Sequence, residues 1–316
     1  MIAYEKQVLK NKFEIYACPV NLGSEVISVD IFYKVGSRNE QMGKSGLAHM
    51  LEHLNFKSTK NLKAGEFDEI VKGFGGVDNA STGFDYTHYF IKCSRANLDK
   101  ALGLFAELMA NLSLKDAEFQ PERAVVLEER RWRTDNNPLG YLYFRLFNNA
   151  FLYHSYHWTP IGFFKDIENW SIEDLREFHS TFYQPKNAFL MVSGDIEPKE
   201  VFALATKHFE GIKNSKKIPK IHSIEPKQDG AKRVEIHKNS DTELLGLAFK
   251  IPSFKHKDMP VLSALSELLG TGKSSLINEI LIDKLGLINE YYAFCNESID
   301  ENLFIFICVC NVGVKA

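Results

Sequence analysis

The sequence predicts an α+β fold of two homologous α/β sandwich units, each an antiparallel-rich sheet covered by helices, with the second unit incomplete. Three observations lead there. Short runs with the period-two alternation of strands are interleaved with amphipathic runs of helical period. The 316 residues are 45% hydrophobic and 25% charged, the composition of an ordinary globular chain of about two domains. Three separate elements of the first part recur, at a nearly constant spacing, in the last part.

Taken in order, residues 13–35 read as two strands, FEIYA and VISVDIFYKV, joined by a turn at Asn21-Leu22-Gly23. In 45–56, Leu47, Met50, Leu51 and Leu54 recur at helical spacing, with Ser45 in place to cap the helix. A lysine-bearing loop leads to a helix over 65–73 and a turn at Gly75-Gly76. STGFDYTHYFIKC (81–93) reads as one strand and 97–112 as an amphipathic helix. Pro121 suits the first position of the next helix, which carries ERAVVLEERRWRTD and stops before Asn137-Pro138. Helices follow over 141–150, where Tyr141, Tyr143, Phe144 and Phe147 gather as core, and over 172–182. AFLMVSGDI (188–196) is a buried strand and PKEVFALATKHF (198–209) a helix. Residues 213–232 are polar, with several lysines and two prolines, and read as a linker.

Beyond the linker, LAFKIPSFKHKD (247–258) echoes IFYKVGSRNEQM (31–42) at an offset of 216. ALSELL (264–269) falls on HMLEHL (49–54), and SIDENLFIFIC (298–308) on GFDYTHYFIKC (83–93), both at 215. RVEIHK (233–238) also echoes KFEIYA (12–17), at 221. One shared offset over separate elements marks two copies of one unit. The expected organisation is a first half over 1–212, a linker over 213–232 and a partial second half over 233–316.

A net charge of −3 and a pI near 6.4 give no basic field to hold a phosphate backbone, so no nucleic-acid partner is expected. No apolar run reaches 18 residues, so no membrane-spanning helix and no membrane partner are expected. The opening MIAYEKQVLKNKFEIYA, charged at Glu5, Lys6, Lys10 and Lys12, has no apolar core of a secretory signal. Five cysteines, an odd count in a long chain, form no disulfide framework. A cytoplasmic location is the expectation. Gly272-Lys273-Ser274 resembles a phosphate loop, but Glu267 stands where the first glycine of that loop is required, and a turn between helices is the better reading.

The chemistry lies in His49-Met50-Leu51-Glu52-His53. Helical residues four apart share a face, so both imidazoles reach one metal ion, and Glu52 projects beside them. Zinc takes imidazole nitrogen and carboxylate oxygen, three protein ligands leaving one position open, and a neighbouring carboxylate that is not a ligand serves as general base. This is the inverted H-x-x-E-H arrangement of metallopeptidases. A third ligand is expected on the helix behind Pro121, where Glu122 and Glu129 lie two turns apart on one face and Glu128 points elsewhere. Spacing alone leaves both open. Glu129 is preferred as ligand, with Glu122 placed to bond the outer ring nitrogen of a ligating histidine.

This motif, with a glutamate 76 residues after its second histidine, resembles the pitrilysin/insulinase family of zinc peptidases, to which mitochondrial processing peptidase and bacterial processing-protease-like proteins belong. GLAHMLEHLNFKST (46–59), GGVDNASTGFDYTHY (75–89), ERAVVLEE (122–129) and VSGDI (192–196) extend the likeness. The resemblance implies one zinc ion held by His49, His53 and Glu129, Glu52 as general base, Glu122 as the carboxylate behind the ligands, and Asn79 and Ala80 as the segment that pairs with a peptide substrate. It also implies two homologous halves enclosing the peptide. The second copy aligns Ala264 and Leu268 with His49 and His53, so it is the inert half. The family's Arg and Tyr of that half are replaced: Ile282 stands for the Arg and Asn289 for the Tyr. Two functions are therefore weighed: a zinc endopeptidase, and a peptide-binding or assembly subunit that works with a homologous partner chain or a second copy of itself.

Overall fold

The computed structural model describes residues 3–316. Its elements run β1 (Glu5–Val8), β2 (Glu14–Pro19), β3 (Val26–Tyr33), α1 (Leu47–Asn55), α2 (Glu66–Gly73), β4 (Val77–Thr82), β5 (Thr87–Ser94), α3 (Leu98–Asn111), α4 (Asp116–Arg130), α5 (Pro138–Ala150), α6 (Phe164–Asn169), α7 (Ile172–Phe182), β6 (Ala188–Gly194), α8 (Pro198–Phe209), β7 (Leu244–Ile251), α9 (Met259–Gly270), β8 (Ile288–Cys295) and β9 (Asn302–Cys310). π-helical turns at Arg131–Asp135 and Asn278–Lys284 supplement them. Among the described residues no helix is long and apolar enough to cross a membrane.

The first compact unit comprises the residues through Leu127 together with Pro160–His222. Its sheet has the order β1-β2-β6-β3-β5-β4, antiparallel except for the parallel pair β2–β6. Strand alternation sorts the residues: Ile27, Val29, Ile31 and Tyr33 of β3 and Tyr89, Ile91 and Cys93 of β5 face one core. Buried residues of α1, α3, α7 and α8 close over that core. The VSGD run carries the chain out of β6 to Asp195, whose Oδ2 accepts from Gly23 N (3.0 Å) and Glu25 N (2.9 Å), pinning the β2–β3 turn.

The second unit comprises Glu128–Thr159 and Ser223–Ala316. The division passes through α4 and assigns 128–159 to the later part of the chain, whereas the sequence places the boundary at 212. The reason is long-range packing. Gly246 of β7 lies against Leu142 and Leu146 of α5, His154 Nε2 is 3.0 Å from Asp300 Oδ2, and Glu225 accepts the backbone N–H groups of Leu152, Tyr153 and His154.

The repeat is written in the ladders. The second sheet, β7-β9-β8, repeats the order β3-β5-β4. Tyr33 faces Thr87 and Val26 faces Ser94; Ile251 faces Asn302 and Leu244 faces Val309. β5 and β9 thus match at 215 when β3 and β7 match at 218, two more than the 216 read from the sequence. A two-residue slip keeps each side chain on the same face of its sheet. The hairpins agree at 215 on both strands: Asn79 faces Phe90 as Phe294 faces Ile305. RVEIHK (233–238) forms no strand, unlike its echo in β2.

Three local expectations change. Residues 81–93 are not one strand but the end of β4 and most of β5, because the chain reverses at Gly83, whose N–H bonds Tyr86 O at 2.9 Å. The helix carrying ERAVVLEE begins at Asp116, with Pro121 inside it. Ser45 does not cap α1; Gly46, at φ +89°, is the N-cap, and Ser45 Oγ turns to Asp166 at 2.6 Å. All five cysteines are free.

Candidate metal centre

α1 forms where Leu47, Ala48, Met50, Leu51 and Leu54 bury one stripe, which leaves His49, Glu52 and His53 half-buried on its flank. The two imidazoles stand one turn apart, their ring centroids 4.7 Å from each other. From α4, Glu129 brings a carboxylate oxygen to them, and the ligand atoms of His49, His53 and Glu129 all lie within 4.8 Å of one another. Two imidazole nitrogens and one carboxylate oxygen are the donors zinc takes in sites of three protein ligands, so the residues fit that ion.

The spacing that left Glu122 and Glu129 open becomes a geometric distinction. Glu122 is the buried one of the two, and its Oε1 lies 2.8 Å from His53 Nδ1. That hydrogen bond leaves Nε2 as the ring nitrogen able to serve as ligand. Glu122 Oε2 pairs with Lys57 Nζ at 2.7 Å. Burial pushes the Glu122 carboxyl up, but the hydrogen bonds from His53 and Lys57, with the Lys57 charge, outweigh it and hold the group below the usual carboxylate range. Glu129 Oε1 lies 3.2 Å from Arg133 Nε, and Glu128 is the exposed member of the trio, paired with Arg131.

Glu52 does not belong to the three-residue cluster; its Oε2 accepts from the Thr82 hydroxyl at the end of β4. Below it, the buried hydroxyls of Tyr89 and Tyr183 meet at 3.0 Å, and burial raises both phenols, with the nearby Glu52 charge adding to the effect. β4 is the edge strand of its sheet, and it carries Asn79 and Ala80. Asn79 is exposed, and its Oδ1 accepts from Ala80 N at 2.8 Å. A cleft of about 370 Å³ opens beside these groups, lined by Glu52, His53, Phe56, Lys57, Asp68, Asp78, Asn79 and Glu122. Within it the Asp78 carboxyl is pushed up by burial and by Asp68.

Thr82 and Lys57 were not singled out by sequence reasoning. Lys57 lies in the GLAHMLEHLNFKST run, two residues past α1, where a cation favours the helix terminus. In the second unit Ile282 lies in the π-helical turn and Asn289 is exposed at a bulge of β8. Tyr291 bonds back to Ser275 at 2.6 Å and to Gly272 O at 3.1 Å, in the turn between α9 and Asn278–Lys284.

Comparison with known proteins matches residues 20–151 to the family described as Insulinase (Peptidase family M16) and residues 169–315 to the Peptidase M16 inactive domain. The zinc protease PqqE of Helicobacter pylori is 58% identical over 316 residues, covering 99% of this chain and 71% of that protein. An uncharacterized zinc protease of Rickettsia bellii is 27% identical, covering 88% of this chain and 66% of its own length. Among solved structures, a protease from Helicobacter pylori superposes with a TM-score of 0.98 at 57% identity, over 100% of this chain and 77% of that one.

Proposed function

The chain belongs to the insulinase family, peptidase family M16, and from that membership we propose that it is the metal-bearing part of a zinc-dependent endopeptidase acting on peptides or unfolded protein segments. The observation that carries this reading is the convergence of His49, His53 and Glu129 within 4.8 Å, with Glu52 beside them. One zinc ion per chain would be held by those three residues, and when bound it supplies a Lewis acid for the scissile carbonyl and for water.

The other steps fall to the chain. The exposed edge of β4 at Asn79 and Ala80 pairs with the backbone of an extended peptide, which gives affinity without dependence on its side chains. Glu52, fixed by Thr82, takes the proton of the attacking water and returns it to the leaving amine nitrogen. Glu122 holds the His53 ring in one tautomer and orientation. In this reading residues 1–212 act as the catalytic half and 233–316 as part of its inert homologue.

The replacement of Arg and Tyr by Ile282 and Asn289, and the match of 169–315 to an inactive domain, favour a second reading. In it the chain needs a homologous partner, or binds peptide without cutting it. Glu52→Gln separates the two. A catalytic centre keeps its zinc and loses about 10²–10⁴ in peptide turnover, whereas wild-type turnover in the zinc-loaded variant would refute the assignment of Glu52. Turnover only after a homologous chain is added supports the partner reading.

A further inference from the structure

We propose that Glu40 is a positioning residue for the metal centre. It lies outside the H-x-x-E-H motif but holds the turn from which His49 projects, and the inference rests on the metal reading above.

α1 has no capping side chain of its own and no acidic residue in its first turn. Its N-cap is Gly46, in the left-handed region, so the usual Ser or Asp side-chain bond is absent. Glu40 replaces it. Only 7% exposed, it spends both oxygens on the helix start: Oε2 accepts from Gly46 N at 2.7 Å and Oε1 from Ala48 N at 2.8 Å. The next residue is His49. A carboxylate on the free N–H groups of a helix makes charge-assisted bonds and favours the positive end of the helix dipole.

The other side of the same turn is closed by Trp170. Its indole N–H donates to Ser45 O at 3.1 Å, and its ring lies so close to Gly46 that a Cβ there would meet it at 2.7 Å. The Trp170 carbonyl in turn accepts from Arg123 of α4 at 3.1 Å. The helix with the two histidines is thus gripped at its start between a buried carboxylate and a segment bonded to α4, the helix that bears Glu122 and Glu129. Such a grip sets the His49–Glu129 spacing before a metal arrives, which is what ligand preorganisation requires.

The test compares Glu40→Gln with Asp195→Asn. Asp195 is a buried carboxylate that likewise accepts two backbone N–H groups, in the β2–β3 turn. Zinc affinity is measured by competition with a chromophoric chelator, at a temperature where circular dichroism shows each metal-free protein folded. Cobalt(II) loading reads ligand geometry from the visible spectrum. Glu40→Gln should weaken zinc about tenfold and alter the cobalt spectrum, Glu40→Asp should fall between it and wild type, and Asp195→Asn should change affinity less than about twofold. Equal zinc affinity in Glu40→Gln and wild type overturns the inference, as does an equal loss in Asp195→Asn. A wild-type protein that takes no zinc overturns the metal reading itself, and this inference with it.

Discussion

His179 makes the structure's sharpest pH prediction. It sits on α7 with its Nε2 buried and without a hydrogen-bond partner among the described residues, and its ring stacks on Tyr183 at 5.3 Å. Burial disfavours the charged imidazolium and lowers its pKa from 6.5 to about 4. The unfolded chain therefore binds a proton that the folded chain refuses between those values. Stability is full above pH 6.5, falls as pH drops through the window, and has lost up to about 3 kcal/mol near pH 4. At pH 5.5 about 1.4 kcal/mol of this is already gone. The perturbation is His179→Phe, which keeps a ring on Tyr183 and removes the titration. Urea unfolding at pH 7.5 and 5.5 should show wild type losing about 1.4 kcal/mol more than the variant between the two values. The carboxylates held low by their partners, such as Asp174 and Glu107, act equally in both proteins and cancel. The same loss in both proteins would refute a neutral His179 held uncharged by its buried Nε2.

Glu122→Gln should weaken zinc binding about 10–100-fold while leaving the metal-free fold intact, read by chelator competition, because the charge-assisted bond to His53 Nδ1 becomes a neutral one. Gly46→Ala should lower the melting temperature and cost about 1–3 kcal/mol, since φ +89° disfavours a side chain and the new Cβ meets Trp170 and Ile161 O at under 3 Å.

The residues of the candidate metal centre were legible because their spacing is local. His49, Glu52 and His53 lie within one helical turn, and the face shared by Glu122 and Glu129 follows from helical period alone. The same holds for the α+β class and for the recurrence of β3 and β5 in β7 and β9, whose residues repeat in sequence, whereas β4 and β8 escaped it. What local pattern could not give is what distant residues decide. Ser45 was expected to cap α1, but Glu40 takes that role and Asp166 takes Ser45. Pro121 was taken as a helix start, although Asp116 and Glu118 had already supplied the acidic first turn. The grouping of 128–159 with 223–316 depends on Gly246 meeting Leu142 and His154 meeting Asp300, pairs more than a hundred residues apart.

The central claim is that His49, His53 and Glu129 hold one zinc ion. Metal content of the purified chain, measured by elemental analysis beside Glu129→Gln and His49→Ala, tests it most directly. One zinc per wild-type chain is expected, with a loss of stoichiometric zinc in both variants, each still folded by circular dichroism. A wild-type chain that takes up no zinc, or variants that keep it as wild type does, would contradict it.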